Sequence, residues 1–257
     1  MTEVKRDRGS TIQRILETTE FISQNDGLYE ADKVAKILGY PPASAQKLFA
    51  DMKLAGFLQE SILGRLTLAK EFRDLSEATL KHQNFKNERM RELNALSETI
   101  GETCGISLPS GVNMIYFERS QSNWPIQIHL PQGAHVPMTA SASGKLYLSS
   151  LPVSAQKLFL YNIGIERFTR NTEMDSKKLM AELVTIKSQG FAVDNEEFIE
   201  GMCSIAVPIK NNTAAFGYLF CHAPAFRTSH EELLSFLPDI KLTADKIMSV
   251  MLPDLSS

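Results

Sequence analysis

Apolar residues in the first 56 positions recur every three or four residues within three short segments, and this spacing predicts three amphipathic helices. The first helix is predicted over Ser10 to Gln24, with Ser10 as its N-cap. The second ends at Gly39, and the third begins at once and continues to Gly56. Two short helices joined by a glycine-containing turn are typical of a helix-turn-helix.

The third helix has a predicted buried stripe, which consists of Ala45, Leu48, Phe49 and Met52. After Gly56, the segments FLQES and RLTL on either side of Leu63 and Gly64 predict a two-stranded wing. The first 68 residues are therefore expected to form a winged helix-turn-helix. Small helical domains also mediate contacts with other proteins, so both roles stay open at this point.

The pattern changes after the wing. A linker helix is predicted over Ala69 to His82, where the domain boundary is expected, and a second helix over Phe85 to Ile100. Further predicted elements are strands at Ile106, Asn113 to Arg119 and Ile126 to Leu130, helices from about Ser141, over Ser154 to Ile163 and over Asp175 to Gln189, and a long final helix over Ser229 to Met251 kinked at Pro238. Helices mixed with short strands predict an α+β domain.

The segment from Gly190 to Arg227 predicts an antiparallel hairpin that follows the end of a helix. Its two apolar runs are separated by Asn211 and Asn212, and Asp194 is placed at the mouth of the sheet. Ser204 and His222 are the polar exceptions in these runs. A few polar groups on an apolar sheet are typical of a small-molecule pocket, and equally of hydrogen-bonded core residues.

Length and composition are those of a two-domain globular protein, with 257 residues, 43% hydrophobic and 22% charged. The predicted divisions are a DNA-binding or interaction domain at 1–68, a linker helix at 69–82 and a ligand-binding domain at 83–257. No apolar run is long enough to span a bilayer and the N-terminus lacks a signal peptide, so a cytoplasmic protein without membrane contact is expected. Cys104, Cys203 and Cys221 are predicted to be buried free thiols.

The charge balance does not by itself indicate a nucleic-acid partner. The net charge is −3, and residues 1 to 80 contain 11 Lys and Arg against 12 Asp and Glu. Any contact with DNA must therefore come from the local arrangement of a few side chains. The basic candidates are Lys5, Arg6 and Arg8 in the N-terminal tail, Lys47 in the third helix and Arg65 in the wing.

Enzyme motifs are not met. In ASASGK the residue after Lys145 is a leucine, which excludes a phosphate-binding loop. Cys221 and His222 are neighbours on a predicted strand and point to opposite faces, so they cannot form a nucleophile and base pair. No metal-binding spacing is present either. We expect no catalytic residue, no cofactor and no metal.

The segment GFAVDNEEFIEGMCSIAVP resembles the effector-domain signature of the IclR family of bacterial transcriptional regulators. The matching positions are Gly190, Phe191, Asp194, Glu196, Glu197, Gly201, Ile205, Ala206 and Pro208, with Pro224 and Arg227 closing the segment. The resemblance implies an α+β architecture in which a winged helix-turn-helix is joined by a helical linker to a GAF-like effector-binding domain. It also implies a repressor that acts as a homodimer or dimer of dimers on double-stranded operator DNA, in response to a small-molecule effector.

Site residues are expected in both domains, some from the resemblance and some from the predicted exposed or apolar faces. The expected DNA-binding residues are Arg8, Ser44, Gln46, Lys47 and Arg65. The expected effector-binding residues are Ala142, Ser143, Asp194, Met202, Ser204, Phe220 and His222.

The chain departs from the family at several of these positions. Lys47 stands where an arginine is common, and it lacks the planar fork that binds guanine. In the pocket, Phe220 and His222 replace small polar residues, and nearby Asp194 is expected to favour the charged form of His222. These changes predict a small organic acid or aromatic metabolite bulkier than glyoxylate. The alternatives are a winged helix that binds protein and a collapsed pocket in which His222 is a core residue.

Overall fold

The structure, a computed structural model, describes residues 10–25, 29–61, 64–80, 83–211 and 215–251. The chain divides into two compact units, Met1–His82 and Gln83–Ser257. Several residues singled out above lie outside the described residues: Lys5, Arg6, Arg8, Leu63, His82 and Asn212.

The first unit contains helices α1 (Thr11–Gln24), α2 (Ala31–Leu38), α3 (Pro42–Leu54) and α4 (Lys70–Leu80), with strands β1 (Leu58–Glu60) and β2 (Leu66–Leu68). The two strands pair antiparallel as the predicted wing. The predicted stripe of α3 is confirmed, because all four of its residues are buried in the core of this unit. Ser10 occupies the N-cap position of α1, although its side chain makes no capping hydrogen bond.

In the second unit, the described residues form a six-stranded antiparallel sheet in the order β5-β4-β3-β8-β7-β6. The strands are β3 (Thr103–Ser110), β4 (Asn113–Ser120), β5 (His135–Pro137), β6 (Ala192–Asn195), β7 (Met202–Lys210) and β8 (Ala215–Pro224). The helices are α5 (Gln83–Ile100), α6 (Ala142–Ser150), α7 (Val153–Ile163), α8 (Ser176–Gln189), α9 (His230–Ser235) and α10 (Leu237–Met251). The α+β prediction is confirmed.

Both faces of this sheet are covered. One face packs on α5, α9 and α10 through a core that includes Leu93, Leu233 and Ile240. The opposite face packs on α6 and α8 through a second core that includes Leu146 and Leu183. Alternation along β7 distributes Ile205, Val207 and Ile209 to the first core and Ala206 to the second. All three cysteines are free and buried, as predicted.

The predicted strand over Ile126 to Leu130 is wrong. Residues 121–134 have no regular secondary structure, and Ile126 is 67% exposed. The edge of β4 is occupied instead by β5, where Ile115 pairs with His135. Alternating residues form a strand only where a sheet edge is available to pair with them. We refer to residues 121–134 as the covering loop.

The predicted long final helix is two helices. The short helix α9 begins with a capping box between Ser229 and Glu232 and ends at Ser235. Pro238 lies at the second position of α10, where its missing N–H is not needed for a helical hydrogen bond. The proline therefore lies in the first turn of a new helix and does not kink a continuous one.

Candidate functional site

Cross-strand register places three predicted effector residues side by side on one face of the sheet. Asp194 pairs with Ser204, and Ser204 pairs with His222, which in turn pairs with Thr103. Residues paired in this way project to the same face. This is the face that packs on α6 and α8, and Phe220 lies on it because it is two residues before His222. Asp194 belongs to strand β6 and precedes the loop in which the acidic segment continues.

The first turn of α6 brings two more predicted residues to this face. The Oγ atom of Ser141 caps α6 by accepting a hydrogen bond from the backbone N–H of Gly144 at 3.2 Å. Ala142 packs in the same core as Phe220. The helix lies so close to the preceding segment here that a Cβ atom on Gly144 would be 2.4 Å from Cα of Met138. Only glycine fits at this position. All seven predicted effector residues are buried, namely Ala142, Ser143, Asp194, Met202, Ser204, Phe220 and His222.

Asp194 is fully buried and is held by hydrogen bonds. Its Oδ1 atom accepts from the backbone N–H of Glu197 at 2.7 Å, and its Oδ2 atom accepts from the hydroxyl of Ser204 at 3.3 Å. Burial raises the pKa of Asp194 to about 7, against the lowering effect of the backbone hydrogen bond from Glu197. This carboxyl group therefore gains a proton far more readily than an exposed aspartate does.

Lys145 neutralises acidic side chains next to Asp194. The lysine is fully buried, and its Nζ atom donates to Oε1 of Glu182 and to Oε1 of Glu197, each at 2.6 Å. Burial alone would lower the pKa of Lys145, but the two carboxylates raise it above its ordinary value. The lysine of the ASASGK segment thus has a buried ion-pairing role that the sequence did not indicate.

His222 is neutral at physiological pH. Burial, together with the charge of Arg119, lowers the pKa of His222 to about 4. The expectation that Asp194 would favour the charged imidazole is wrong, because β7 separates the two strands and places the residues about 10 Å apart. Among the described residues, neither ring nitrogen of His222 has a hydrogen-bond partner. The backbone of Ile128 in the covering loop lies near enough to oppose the pKa shift, without meeting hydrogen-bond geometry.

Three near-parallel rings stack together on the same face, and we call Tyr116, Phe220 and His222 the aromatic cluster. The ring centroids of Tyr116 and Phe220 are 4.1 Å apart, and that of His222 lies 5.7 Å from Phe220, with interplanar angles of 23° for both pairs. Gly105 makes this possible, since a Cβ atom there would lie 2.6 Å from Cζ of Phe220. The glycine leaves room for the phenylalanine ring to lie over β3.

Arg119 is a site residue that the sequence did not indicate. Gly105 pairs with Arg119 on one side and with Phe220 on the other, so the arginine belongs to the same face. Tyr116 is three residues earlier, and strict alternation would put the two on opposite faces. The β-bulge between Ile106 and Ser107 adds a residue to β4 and restores the arginine to the face of Tyr116.

The guanidinium of Arg119 is held at one end. Its Nη1 atom donates to the carbonyl of Leu130 in the covering loop. Its Nε and Nη2 atoms, which we call the side edge, are shielded from solvent and have no hydrogen-bond partner in the described part of the chain. Burial lowers the pKa of Arg119 from its ordinary value, although the group remains a cation near neutrality.

In the first unit, two of the expected DNA-binding residues are exposed and two are half-buried. Gln46 and Lys47 are exposed on α3, opposite its buried stripe. Ser44 is half-buried, and its Oγ atom accepts from Nη1 of Arg14 at 2.8 Å. Arg65 is also half-buried and forms a β-bridge with Glu30.

The described ranges contain neither a cluster of metal-binding side chains nor a membrane-spanning helix. No group of three or more His, Cys, Asp or Glu side chains there is placed to hold a metal ion. None of the helices in those ranges is long and apolar enough to cross a membrane.

Comparisons with known proteins agree with this architecture. Residues 77–249 match the family described as bacterial transcriptional regulator IclR C-terminal. The chain is 26% identical over 237 residues to the probable transcriptional regulator SauR of Cupriavidus necator, covering 91% of this chain and 94% of that protein.

Two solved structures show the same fold. The IclR protein of Thermotoga maritima has a TM-score of 0.61 at 23% identity, and the match covers 93% of this chain and 97% of that one. A double mutant of the inducer-binding domain of PobR from Acinetobacter, in complex with 3-hydroxybenzoic acid, has a TM-score of 0.58 at 24% identity. That match covers 62% of this chain and 94% of the PobR chain.

Proposed function

Because the chain belongs to the IclR family of bacterial transcriptional regulators, we propose that it is a ligand-responsive regulator that binds operator DNA and senses a small organic acid or aromatic metabolite. We assign DNA binding to residues 1–68, a linking role to 69–82 and effector binding to 83–257. Repression is the mode of control that the sequence resemblance implies. The observation that carries the proposal is the pair of ring nitrogens of His222, which are buried and have no partner among the described residues.

A buried polar group without a partner costs free energy, so its presence on an apolar face favours a ligand that completes its hydrogen bonds. Asp194 and Ser204 lie in the same cross-strand row and add polar groups that can orient such a ligand. The structurally similar PobR domain was solved with 3-hydroxybenzoic acid. A buried pocket with an aromatic cluster and a few polar groups is typical of small-molecule sites.

DNA binding is proposed for the exposed face of α3, together with the wing. Gln46 can contact an adenine edge, and Lys47 can contact guanine or a phosphate. These are few base-reading groups for one copy, so we propose that the protein binds a two-fold operator as a homodimer or dimer of dimers. We also propose that Arg8 of the N-terminal tail contacts a DNA phosphate.

Lys47→Ala is expected to weaken DNA binding by about tenfold, or ~1.4 kcal/mol, because it removes a cation from the DNA-facing surface. The slope of log affinity against log salt should also become shallower by about 0.9 if the lysine neutralises one phosphate. Fluorescence anisotropy over a salt series measures both quantities. Lys157→Ala on the exposed side of α7 is the matched control and should change neither. Unchanged DNA affinity in Lys47→Ala would show that α3 is not the recognition helix.

The function itself is tested by a gel-shift assay that uses the DNA upstream of the protein's own gene. The proposal expects preferential binding to this DNA over an unrelated fragment of equal length. Equal binding to both fragments would favour a winged helix that contacts protein.

A further inference from the structure

Two arginines of the second unit bind carboxylates through the same pair of atoms. Arg89 donates from Nε and Nη2 to the two carboxylate oxygens of Glu118, at 2.8 and 2.6 Å. Arg227 donates from Nε and Nη2 to the two oxygens of Glu102, each at 2.6 Å. This fold therefore uses the side edge of an arginine as a two-pronged carboxylate clamp.

Arg119 lies on the same face as the aromatic cluster, and its charge is close enough to Tyr116 and His222 to influence their titration. Its Nη1 atom is fixed by the carbonyl of Leu130, which restricts rotation of the guanidinium. Over the described residues, no carboxylate occupies the side edge, and both of its nitrogens are shielded from solvent. Two parallel N–H donors that are shielded from water and lack acceptors cost free energy unless a ligand supplies the acceptors.

We propose that the side edge of Arg119 binds the carboxylate of a planar aromatic monocarboxylic acid, whose ring packs against the aromatic cluster of Tyr116, Phe220 and His222. This inference rests on the proposed effector site and names the chemical class of its ligand. The carboxylate accepts two hydrogen bonds in the plane of the guanidinium, which gives acceptors to both shielded donors of this half-buried arginine.

The neighbouring groups agree with an acid that binds as its anion. His222 is neutral, so it offers one N–H donor and one nitrogen acceptor and adds no competing charge. Asp194 lies two strands away from His222 and is paired with Ser204, so it leaves the side edge to the ligand. The Leu130 carbonyl ties the covering loop to the same guanidinium, so that the arginine contacts both the loop and the proposed ligand.

The test uses benzoate, 4-hydroxybenzoate and cinnamate, each compared with its neutral amide, and measures binding to the full chain by isothermal titration calorimetry. At least one acid is expected to bind at millimolar concentration or below, and its amide to bind at least ~30-fold more weakly because the charged acceptor is missing. Arg119→Met should weaken binding of the acid by a similar factor. Arg119→Lys keeps the charge without the planar fork and should lose about tenfold.

Arg170→Met is the matched control, because Arg170 is exposed and pairs with the exposed Glu200. It should bind the acids as the unmodified protein does. Arg119→Met is expected to fold, and without ligand its unfolding temperature should stay close to that of the unmodified protein, because the substitution removes two shielded donors without acceptors among the described residues as well as the hydrogen bond to the Leu130 carbonyl. Its DNA affinity without ligand should be unchanged, so a failure of DNA binding in the unmodified protein would contradict the proposed function and not this inference.

Three results would overturn the inference. One is that none of the three acids binds. Another is that an amide binds as tightly as its acid. The third is that Arg119→Met, correctly folded by circular dichroism, binds the acid with undiminished affinity.

Discussion

Glu118→Gln is expected to lower the free energy of unfolding by about 3–5 kcal/mol, because it removes the carboxylate that compensates a fully buried guanidinium. Arg89 has no solvent exposure and Glu118 is 3% exposed. The rings of Phe117 and Phe216 lie within 6.0 Å of the guanidinium and cannot replace a negative charge. Urea denaturation of the full chain, followed through the fluorescence of Trp124, the single tryptophan and a residue of the second unit, measures the loss.

Glu200→Gln is the matched control for this prediction. The same substitution is made in a surface ion pair, because Glu200 pairs with Arg170 and its side chain is 68% exposed. Its loss should cost no more than about 0.5 kcal/mol. A loss below about 1 kcal/mol for Glu118→Gln would mean that water reaches Arg89 and that the ion pair is not buried in solution.

Asp194→Asn and His222→Gln are expected to change the dependence of stability on pH in opposite directions. The pKa of Asp194 is raised to about 7 in the folded protein, so its contribution to stability is present at low pH and is lost as the pH rises from about 4 through 7. The pKa of His222 is lowered to about 4, so its contribution is present above pH 6.5 and is lost as the pH falls through about 4. Between these limits the two contributions largely cancel in the unmodified protein.

Removing one group exposes the effect of the other. In Asp194→Asn the remaining histidine should make stability fall on acidification by at most about 1.4 kcal/mol per pH unit, or on the order of 3 kcal/mol between pH 6.5 and 4. In His222→Gln stability should instead rise on acidification over the same interval. Thermal unfolding at a series of pH values measures both. Parallel curves for the two variants would show that these groups are hydrated in the folded protein.

Local sequence patterns predicted most of the elements, because apolar periodicity and glycine positions act within a few residues. The buried stripe of α3 and the alternation of β7 followed directly from spacing. The segment from Ile126 to Leu130 has a similar alternation, yet β5 occupies the edge of β4 that it would need. Pairing between distant strands is not encoded in a short window.

The sequence predicted which residues share the buried face of the candidate site, and it did not predict their electrostatics. The resemblance supplied residues that the structure brings to one buried face, including Asp194, Ser204 and His222. The charge of His222 depends on complete burial and on Arg119, neither of which spacing shows. Arg119 itself was missed because one bulge residue reverses the face on which it projects. A single inserted residue in a strand leaves no recognisable pattern.

The central claim, that an acid in the second unit controls DNA binding by the first, is tested most directly by measuring one coupling in both directions. Anisotropy gives the affinity for the upstream DNA with and without the tightest-binding acid, and calorimetry gives the affinity for that acid with and without DNA. We predict that each ligand changes the affinity for the other by the same factor, about 5- to 150-fold. If the acid and the DNA each bind specifically and neither affinity changes in the presence of the other, the protein is not a regulator of this kind.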